Sequence, residues 1–219
     1  MNLNKHTTSE EQVQAICSAI KKYISESKKD RIIIALSGGR SPIKLLMQLS
    51  IMSLPWNKID ITLVDERLVS ADSEDSNANL VKTYLLKNLA HNVKFIPLVE
   101  DLDMNKNLVN ANTIIKDIDI AILGMGEDGH TASIFPDCPE LNIALNTTQQ
   151  YIITNPTSAK YQRIGLSMYA LSQIPCLILS INGKTKLDVL TEAMRGVNLN
   201  YPISYLLQMR QDINTYWYN

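Results

Sequence analysis

The sequence predicts an α/β fold with a mostly parallel sheet flanked by helices on both faces, in the doubly wound, Rossmann-like arrangement. A continuous β-branched run, Arg31 to Leu36, is typical of a buried parallel strand, and a second strand is predicted at Ile59 to Val64. Segments with helical apolar periodicity alternate with such runs along the chain. Several runs also end in Gly-rich or charged segments, as strands do at the ligand-binding edge of an open α/β sheet.

The first two helices have recognisable beginnings. Thr8 and Glu11 have the spacing of a capping box, and an apolar helix face follows, made of Val13, Ile16, Cys17, Ile20 and Ile24. Ser41 is predicted as the N-cap of the second helix and Pro42 as its first residue. The core face of that helix is predicted to consist of Ile43, Leu46 and Met47.

The remaining elements continue the alternation. Further strands are predicted at Val93 to Ile96, Ile118 to Leu123, Tyr151 to Thr154, Arg163 to Met168 and Cys176 to Ile181. Further helices are predicted near 77–88, near 104–116 and from the last of these strands to about Met194. No internal repeat or linker interrupts the pattern, so we expect one domain over residues 1–219.

Composition excludes several classes of protein. The net charge is -1, which gives no field for binding nucleic acid or an anionic membrane. Three well-separated cysteines without C-x-x-C spacing argue against a disulfide framework and against structural zinc. The N-terminus is polar and the longest apolar run is too short to span a bilayer. We therefore expect a cytoplasmic protein.

Four unusual segments directly follow predicted strands: Ser37 to Gly39, Asp65 to Arg67, Gly124 to His130 and Gly183 to Lys186. In a parallel sheet the carboxyl ends of the strands lie at one edge, where ligands bind. The four segments are therefore expected to converge on one site.

The first of these segments suits an anion. Gly38 and Gly39 allow backbone N–H groups to approach a ligand, and the following helix start adds positive potential. A tight turn that needs glycine only for its geometry is an equal alternative. Arg67 and Lys186 are candidates for charge-assisted bonds to the same anion, or else solvated surface charges.

The segment from Gly124 to Gly129 matches G-x-G-x-x-G, a pattern also found in dinucleotide-binding turns. That function requires a helix opening within the motif. Pro136 and Pro139 leave room for no more than one helical turn, which disfavours nicotinamide binding.

His130 follows this glycine-rich turn, two residues after Asp128. An imidazole, whose ordinary pKa is about 6.5, can take a proton from water at neutral pH. A nearby carboxylate can fix its tautomer and stabilise the imidazolium. A histidine that only hydrogen-bonds the loop is the alternative. The chain lacks G-x-S-x-G and H-E-x-x-H motifs, which weakens serine and zinc hydrolase hypotheses.

Together these segments resemble the 6-phosphogluconolactonase family. The similar stretches occur in the family's order: Ala35 to Pro42, Val64 to Val69 with Ser76 and Asn77 downstream, Leu123 to Pro136, Arg163 to Met168, Ile181 to Lys186, and Tyr201 to Ile203 with Leu206 and Leu207. The resemblance covers nearly the whole chain. Two features depart from the family: the loop from Asn155 to Gln162 is poor in proline, and Gly165 stands where threonine is common.

The related glucosamine-6-phosphate deaminases share Ser-Gly-Gly followed by Pro. They continue their Gly-His motif with Ile-Ala-Phe-Asn-Glu, whereas this chain has Thr131 to Pro136, and they carry Asp-Glu-Tyr where this chain has Asp65 to Arg67. Both differences favour the lactonase. A phosphosugar sensor is a further alternative, but such regulators carry a DNA-binding helix-turn-helix before the ligand domain, and here one helix precedes the first strand.

The resemblance implies hydrolysis of 6-phospho-D-glucono-1,5-lactone to 6-phosphogluconate without a metal or organic cofactor. By motif, His130 would be the general base that activates water, with Asp128 orienting or polarising it. The residues implied in phosphate binding are Ser37, Gly38, Gly39, Arg40, Arg67, Lys186 and Arg163. The expected partner is this small molecule alone, bound by a monomer or a small homo-oligomer.

Overall fold

The computed structural model describes all 219 residues. Its strands are β1 (Asn2–His6), β2 (Ile32–Leu36), β3 (Ile59–Leu63), β4 (Asp65–Arg67), β5 (Lys94–Phe95), β6 (Ile120–Leu123), β7 (Tyr151–Thr154), β8 (Arg163–Leu166), β9 (Cys176–Asn182) and β10 (Asn214–Tyr218). Its helices are α1 (Ser9–Glu26), α2 (Ile43–Ser50), α3 (Asn77–Tyr84), α4 (Met104–Ile114), α5 (Leu141–Asn146), α6 (Met168–Gln173), α7 (Lys184–Ala193) and α8 (Ile203–Met209). No helix combines the length and apolar character needed to cross a lipid bilayer.

The main sheet has seven strands in the order β1-β10-β9-β6-β2-β3-β5. Every pairing in it is parallel. The strands β3 and β6 are buried along their whole length, as expected for strands covered on both faces. The predicted α/β fold is confirmed, and all carboxyl ends of these strands lie at one edge.

Helix α1 begins as the capping-box spacing predicts. The Thr8 hydroxyl accepts a hydrogen bond from the Glu11 amide at 3.2 Å, and the Glu11 carboxylate accepts one from the Thr7 amide at 2.8 Å. Its predicted apolar face is buried, and the helix packs against α2 and β10. This packing brings α1 over the carboxyl edge of the sheet.

Helix α2 begins one residue later than predicted. Pro42 rather than Ser41 is the N-cap, and no side chain caps the helix. Met47, predicted in the core, is 47% exposed, while Leu45 and Leu49 are buried beside Leu46. The shift moves the apolar face by part of a turn and leaves the first amides of α2 without a side-chain partner.

The strands predicted at residues 151–154 and 163–168 form, but they lie outside the parallel sheet. They pair with each other and with β4 in a second, antiparallel sheet of order β4-β8-β7. The connection over residues 155–162 contains no helix, and parallel strands need a crossover of a dozen or more residues. The second of these strands ends at Leu166, because Ser167 caps α6 through its side chain.

Both terminal strands escaped prediction. Strand β1 is polar and lies at the edge of the sheet, and β10 inserts between it and β9. His6 ends β1 and stacks on Tyr216 of β10 with the ring centroids 5.9 Å apart. These strands complete the sheet on the side where α1 covers it.

Candidate functional site

A cavity of about 260 Å³ opens at the carboxyl edge of the main sheet. The four segments that follow predicted strands all contribute to it. Of the residues singled out from the sequence, the cavity wall contains Ser37, Gly38, Gly39, Arg67, His130, Arg163 and Lys186.

The turn after β2 needs glycine at two successive positions. A side chain at Gly38 would meet Asn77, whose Oδ1 lies 1.7 Å from the position of a Cβ atom. Gly39 has a φ of +90°, which favours glycine. The turn leads into the start of α2, where no side chain caps the helix. Glycine-rich turns that lead into a helix start in this way are suited to anions.

Arg67 reaches the same region from β4. Its Nη1 donates to the carbonyl oxygen of Asp75 at 2.6 Å, which fixes the guanidinium. Its Nε is buried and has no hydrogen-bond partner in the protein. A buried donor without a partner is unusual and is expected where a ligand supplies the acceptor.

Arg163 lies opposite Arg67, on β8. Its Nη1 is 3.8 Å from Asp65 Oδ2 and 3.5 Å from the Ser133 hydroxyl, and its Nε is buried without a partner. Burial lowers the pKa of Arg163, an effect that the carboxylate of Asp65 opposes. The site therefore holds a second largely desolvated guanidinium with an unused donor.

Lys186 lies in the first turn of α7 and lines the cavity. No side chain caps this helix, whose N-cap residue is Gly183 with a φ of +81°. Lys184 instead pairs with Asp188 at 2.7 Å on the exposed face of α7. The structure thus places Lys186, and not Lys184, at the site.

The loop after β6 is shaped by two glycines. A side chain at Gly126 would lie 2.2 Å from His130 Nδ1, and one at Gly129 would lie 2.8 Å from the Tyr201 backbone. The Gly126 amide donates to the His130 carbonyl at 3.0 Å, which closes the loop. This close packing holds the histidine against the loop.

His130 and Asp128 form a hydrogen-bonded pair. His130 Nδ1 is 2.6 Å from Asp128 Oδ1, and the His130 amide donates to the same oxygen at 3.2 Å. Burial acts to raise the pKa of Asp128, but the hydrogen bond and charge of His130 outweigh it and the pKa lies below its ordinary value. With Nδ1 held, Nε2 has no partner in the protein and is the ring atom left for chemistry at the cavity.

Phe135 fixes the ring from a second direction. The His130 and Phe135 rings stack with centroids 3.9 Å apart and planes 17° apart. The Arg163 guanidinium also lies over the Phe135 ring, 5.2 Å from its centroid. One buried aromatic side chain therefore contacts both the histidine and a cation of the site.

Two predicted site residues do not line the cavity. Asp128 is hydrogen-bonded to His130 but is not part of the cavity wall. Arg40 is exposed and lines a neighbouring depression that shares Gly39, Arg67 and Asn77 with the main cavity. No group of three or more His, Cys, Asp or Glu side chains is arranged to hold a metal ion.

Sequence reasoning missed several polar residues in the cavity wall, namely Gln12, Asp65, Asn77, Ser133 and Ser180. Asn77 Nδ2 donates to the Asp65 carbonyl at 2.7 Å, and Ser133 Oγ hydrogen-bonds Asp65 Oδ2. Asp65 and Asn77 lie in a stretch that resembles the family named above, and this position could have marked them as candidate site residues. Gln12 had none beyond its place on the apolar face of a helix.

Comparison with known proteins places this arrangement among enzymes of sugar-phosphate metabolism. Residues 4–217 match a family model described as glucosamine-6-phosphate isomerases/6-phosphogluconolactonase. A 6-phosphogluconolactonase of Helicobacter pylori is 40% identical over 205 residues, which cover 90% of this chain and 89% of that protein. One of Neisseria meningitidis is 36% identical over 209 residues, covering 91% of this chain and 89% of the other.

A solved structure shows the same similarity. A crystal structure of a 6-phosphogluconolactonase from Shewanella baltica superposes with a TM-score of 0.94 at 32% identity, covering 100% of this chain and 98% of that one. The similarity extends over the strands, helices and loops that form the cavity.

Proposed function

This chain belongs to the glucosamine-6-phosphate isomerase/6-phosphogluconolactonase family, and we propose that it hydrolyses 6-phospho-D-glucono-1,5-lactone to 6-phospho-D-gluconate by general-base catalysis. The observation that carries the proposal is the His130–Asp128 pair at a cavity that Arg67, Arg163 and Lys186 also line. The names of its relatives favour the lactonase over the isomerase branch, as do the motif differences at Thr131 to Pro136 and Asp65 to Arg67.

The substrate's phosphate has a suitable environment at the Ser37 to Gly39 turn. Backbone N–H groups, the open start of α2 and the unused Nε donor of Arg67 provide donors and positive potential. Arg163 and Lys186 add positive charge to the same cavity. Fixing the phosphate positions the lactone carbonyl, and such positioning can lower a barrier by roughly 7–11 kcal/mol at best.

His130 acts in this proposal through Nε2. It takes a proton from a water molecule as the water oxygen bonds to the lactone carbonyl carbon. Asp128 holds Nδ1–H, which fixes the tautomer and stabilises the imidazolium that forms. The Phe135 ring limits rotation of the imidazole.

Collapse of the tetrahedral intermediate breaks the bond between the carbonyl carbon and the ring oxygen. The proton held on His130 passes to that oxygen, which becomes a hydroxyl group. The new carboxylic acid keeps the second proton of the water molecule and releases it to solvent, which leaves the carboxylate. Backbone N–H groups of the glycine-rich turns are suited to stabilise the oxyanion. A lactone is an activated ester, so water suffices as the nucleophile.

The test uses freshly generated 6-phosphogluconolactone, with the spontaneous rate subtracted. We expect rapid hydrolysis by the wild type and a loss of about a hundredfold or more in kcat for His130→Ala, with product binding retained. His91→Ala, on an exposed loop residue, serves as the control. An absence of acceleration by the wild type would refute the lactonase, and ammonia release from glucosamine 6-phosphate would support the deaminase.

A further inference from the structure

Gln12 is a polar side chain on the apolar face of α1. Its neighbours Val13 and Ile16 are buried and line the same cavity, and Gln12 itself is only 5% exposed. Burying a carboxamide is costly unless its polar atoms find partners. Each polar atom of Gln12 therefore needs an explanation.

The protein uses the nitrogen of this amide completely. Gln12 Nε2 donates to the carbonyl oxygen of Ile181 at 2.9 Å and to that of Tyr216 at 2.8 Å. Because both partners can only accept, the nitrogen end of the amide is identified by its contacts. The orientation of the carboxamide is therefore fixed before any ligand binds.

The oxygen of the same amide is unused. No protein group donates to Gln12 Oε1, and this atom is not among the fully buried polar atoms that lack a partner. Since Gln12 lines the cavity, Oε1 is an acceptor that faces it.

Ser180 supplies a second polar group on this wall. It precedes Ile181 on β9 and is in register with Tyr216 of β10, so it adjoins both residues that hold Gln12. Its side chain lines the cavity and forms no hydrogen bond within the protein. The surrounding wall is apolar, formed by Leu45, Ile122 and the α1 residues.

This wall belongs to a strand remote from the one that leads into Arg67. Strand β9 is separated from β3, which leads into β4 and Arg67, by β6 and β2. Three strand spacings put the backbones of β9 and β3 about 14 Å apart. A ligand whose phosphate is held near Arg67 therefore presents a different part of itself to Gln12 and Ser180.

We propose that Gln12 and Ser180 recognise ring hydroxyl groups of the sugar lactone, with Gln12 Oε1 as a fixed acceptor and the Ser180 hydroxyl as its neighbour. The inference rests on the proposed lactonase function, because it assigns the hydroxyl groups of that substrate. Because no protein group donates to Gln12 Oε1, this oxygen favours a ligand that donates a hydrogen bond from a hydroxyl group. A sugar that lacks the hydroxyl would leave the oxygen unpaired and is therefore disfavoured.

The experiment compares kcat/KM for 6-phosphogluconolactone with kcat/KM for its three monodeoxy analogues, lacking the hydroxyl at C2, C3 or C4. We expect the wild type to disfavour at least one analogue by about tenfold or more. In Gln12→Met, which keeps the side-chain volume, the ratio of kcat/KM for the complete lactone to kcat/KM for that analogue should fall several-fold towards one. Gln14→Met, on the exposed side of the same helix, should keep the wild-type ratio.

Two outcomes would overturn the inference: a wild type that hydrolyses all four lactones equally well, or a Gln12→Met protein that keeps the full discrimination. If Gln12→Met does not fold, Ser180→Ala is measured with the same four lactones. A reduced ratio supports hydroxyl recognition by this wall, and an unchanged ratio refutes it. A wild type without activity on the complete lactone would instead remove the proposed function, and this inference with it.

Discussion

Arg67 and Arg163 are direct cross-strand neighbours on β4 and β8. Both side chains line the cavity, and both have a buried Nε without a partner. Like charges placed opposite each other in a sheet destabilise it, and Asp65 offers Arg163 only a 3.8 Å contact. The two guanidinium groups therefore repel each other, and an anion bound between or beside them would reduce this repulsion.

Removing one of these cations should weaken substrate binding more than it slows the chemical step. Arg67→Ala is expected to raise KM by about ten- to a hundredfold with kcat largely retained, because a charge-assisted bond is worth about 1.5–3 kcal/mol. Steady-state kinetics on the lactone provide the measurement.

Inorganic phosphate gives an independent check on the same residue. It should raise the thermal midpoint of the wild type and raise that of Arg67→Ala much less. Arg195→Ala, whose side chain pairs with Glu192 on the surface, is the matched control and should behave as the wild type does. A normal KM in Arg67→Ala would exclude Arg67 from the phosphate site.

Asp128→Asn tests whether the carboxylate sets the state of the histidine. An asparagine can turn its amide towards Nδ1 and favour the tautomer with the proton on Nε2, which cannot act as a base. We expect kcat to fall by about a hundredfold or more with little change in KM. Glu127→Gln, one residue away and exposed, should retain wild-type kinetics.

The pH dependence of this pair follows from the lowered pKa of Asp128. Burial opposes that lowering, and the hydrogen bond and charge of His130 cause it. A carboxylate with a depressed pKa stabilises the fold above its ordinary value of 3.8, and the contribution is lost as the pH falls through the folded value. The wild type should therefore be more stable than Asp128→Asn in denaturant unfolding above pH 3.8, and this difference should shrink as the pH falls through the folded value. A difference that grows on acidification would contradict the lowered pKa.

Strands buried on both faces were the most predictable part of the fold, because β2, β6 and most of β9 are apolar runs of strand length. The antiparallel sheet was less accessible, since the partners of a strand are not encoded in its own periodicity. The short connection over residues 155–162 was the available clue.

The site divides in the same way. Residues in strand-end motifs, such as His130 and Arg67, could be expected at one edge from topology alone. Gln12 could not, because its partners Ile181 and Tyr216 lie 169 and 204 residues further along the chain. Only the packing of α1 on β9 and β10 brings Gln12 to these two residues.

Glu66 is predicted to be a structural carboxylate on which the position of Arg67 depends. It is 1% exposed and accepts hydrogen bonds from the amides of Arg67, Asn77 and Ala78 and from the Ser76 hydroxyl. In Glu66→Gln an NH₂ group would replace one acceptor oxygen and face these donors. We expect the free energy of unfolding to fall by about 1–3 kcal/mol, measured by denaturant unfolding at pH 7.

The deficit of Glu66→Gln should depend on pH in a defined direction. Burial raises the pKa of Glu66 above its ordinary value of 4.5, although its four donors oppose the rise. The folded protein therefore keeps this proton to higher pH than the unfolded chain, and the associated stability is lost as the pH rises from 4.5 through the folded value. The wild-type advantage should shrink across that window and then stay constant; an advantage that grows with pH would contradict the raised pKa.

Gly165 permits the close approach of the second sheet to the loop that carries Ser133. A Cβ atom there would lie 2.3 Å from the Ala132 carbonyl oxygen, and Ala132 and Ser133 already have φ values of 51° and 62°. Gly165→Ala must displace backbone, so we expect a loss of about 1–3 kcal/mol in stability and a lower kcat/KM. Gly196→Ala, where a Cβ meets nothing within 4 Å, is the matched control and should change neither. Equal stability of the two variants in thermal unfolding would show that the loop can move aside to admit a Cβ atom.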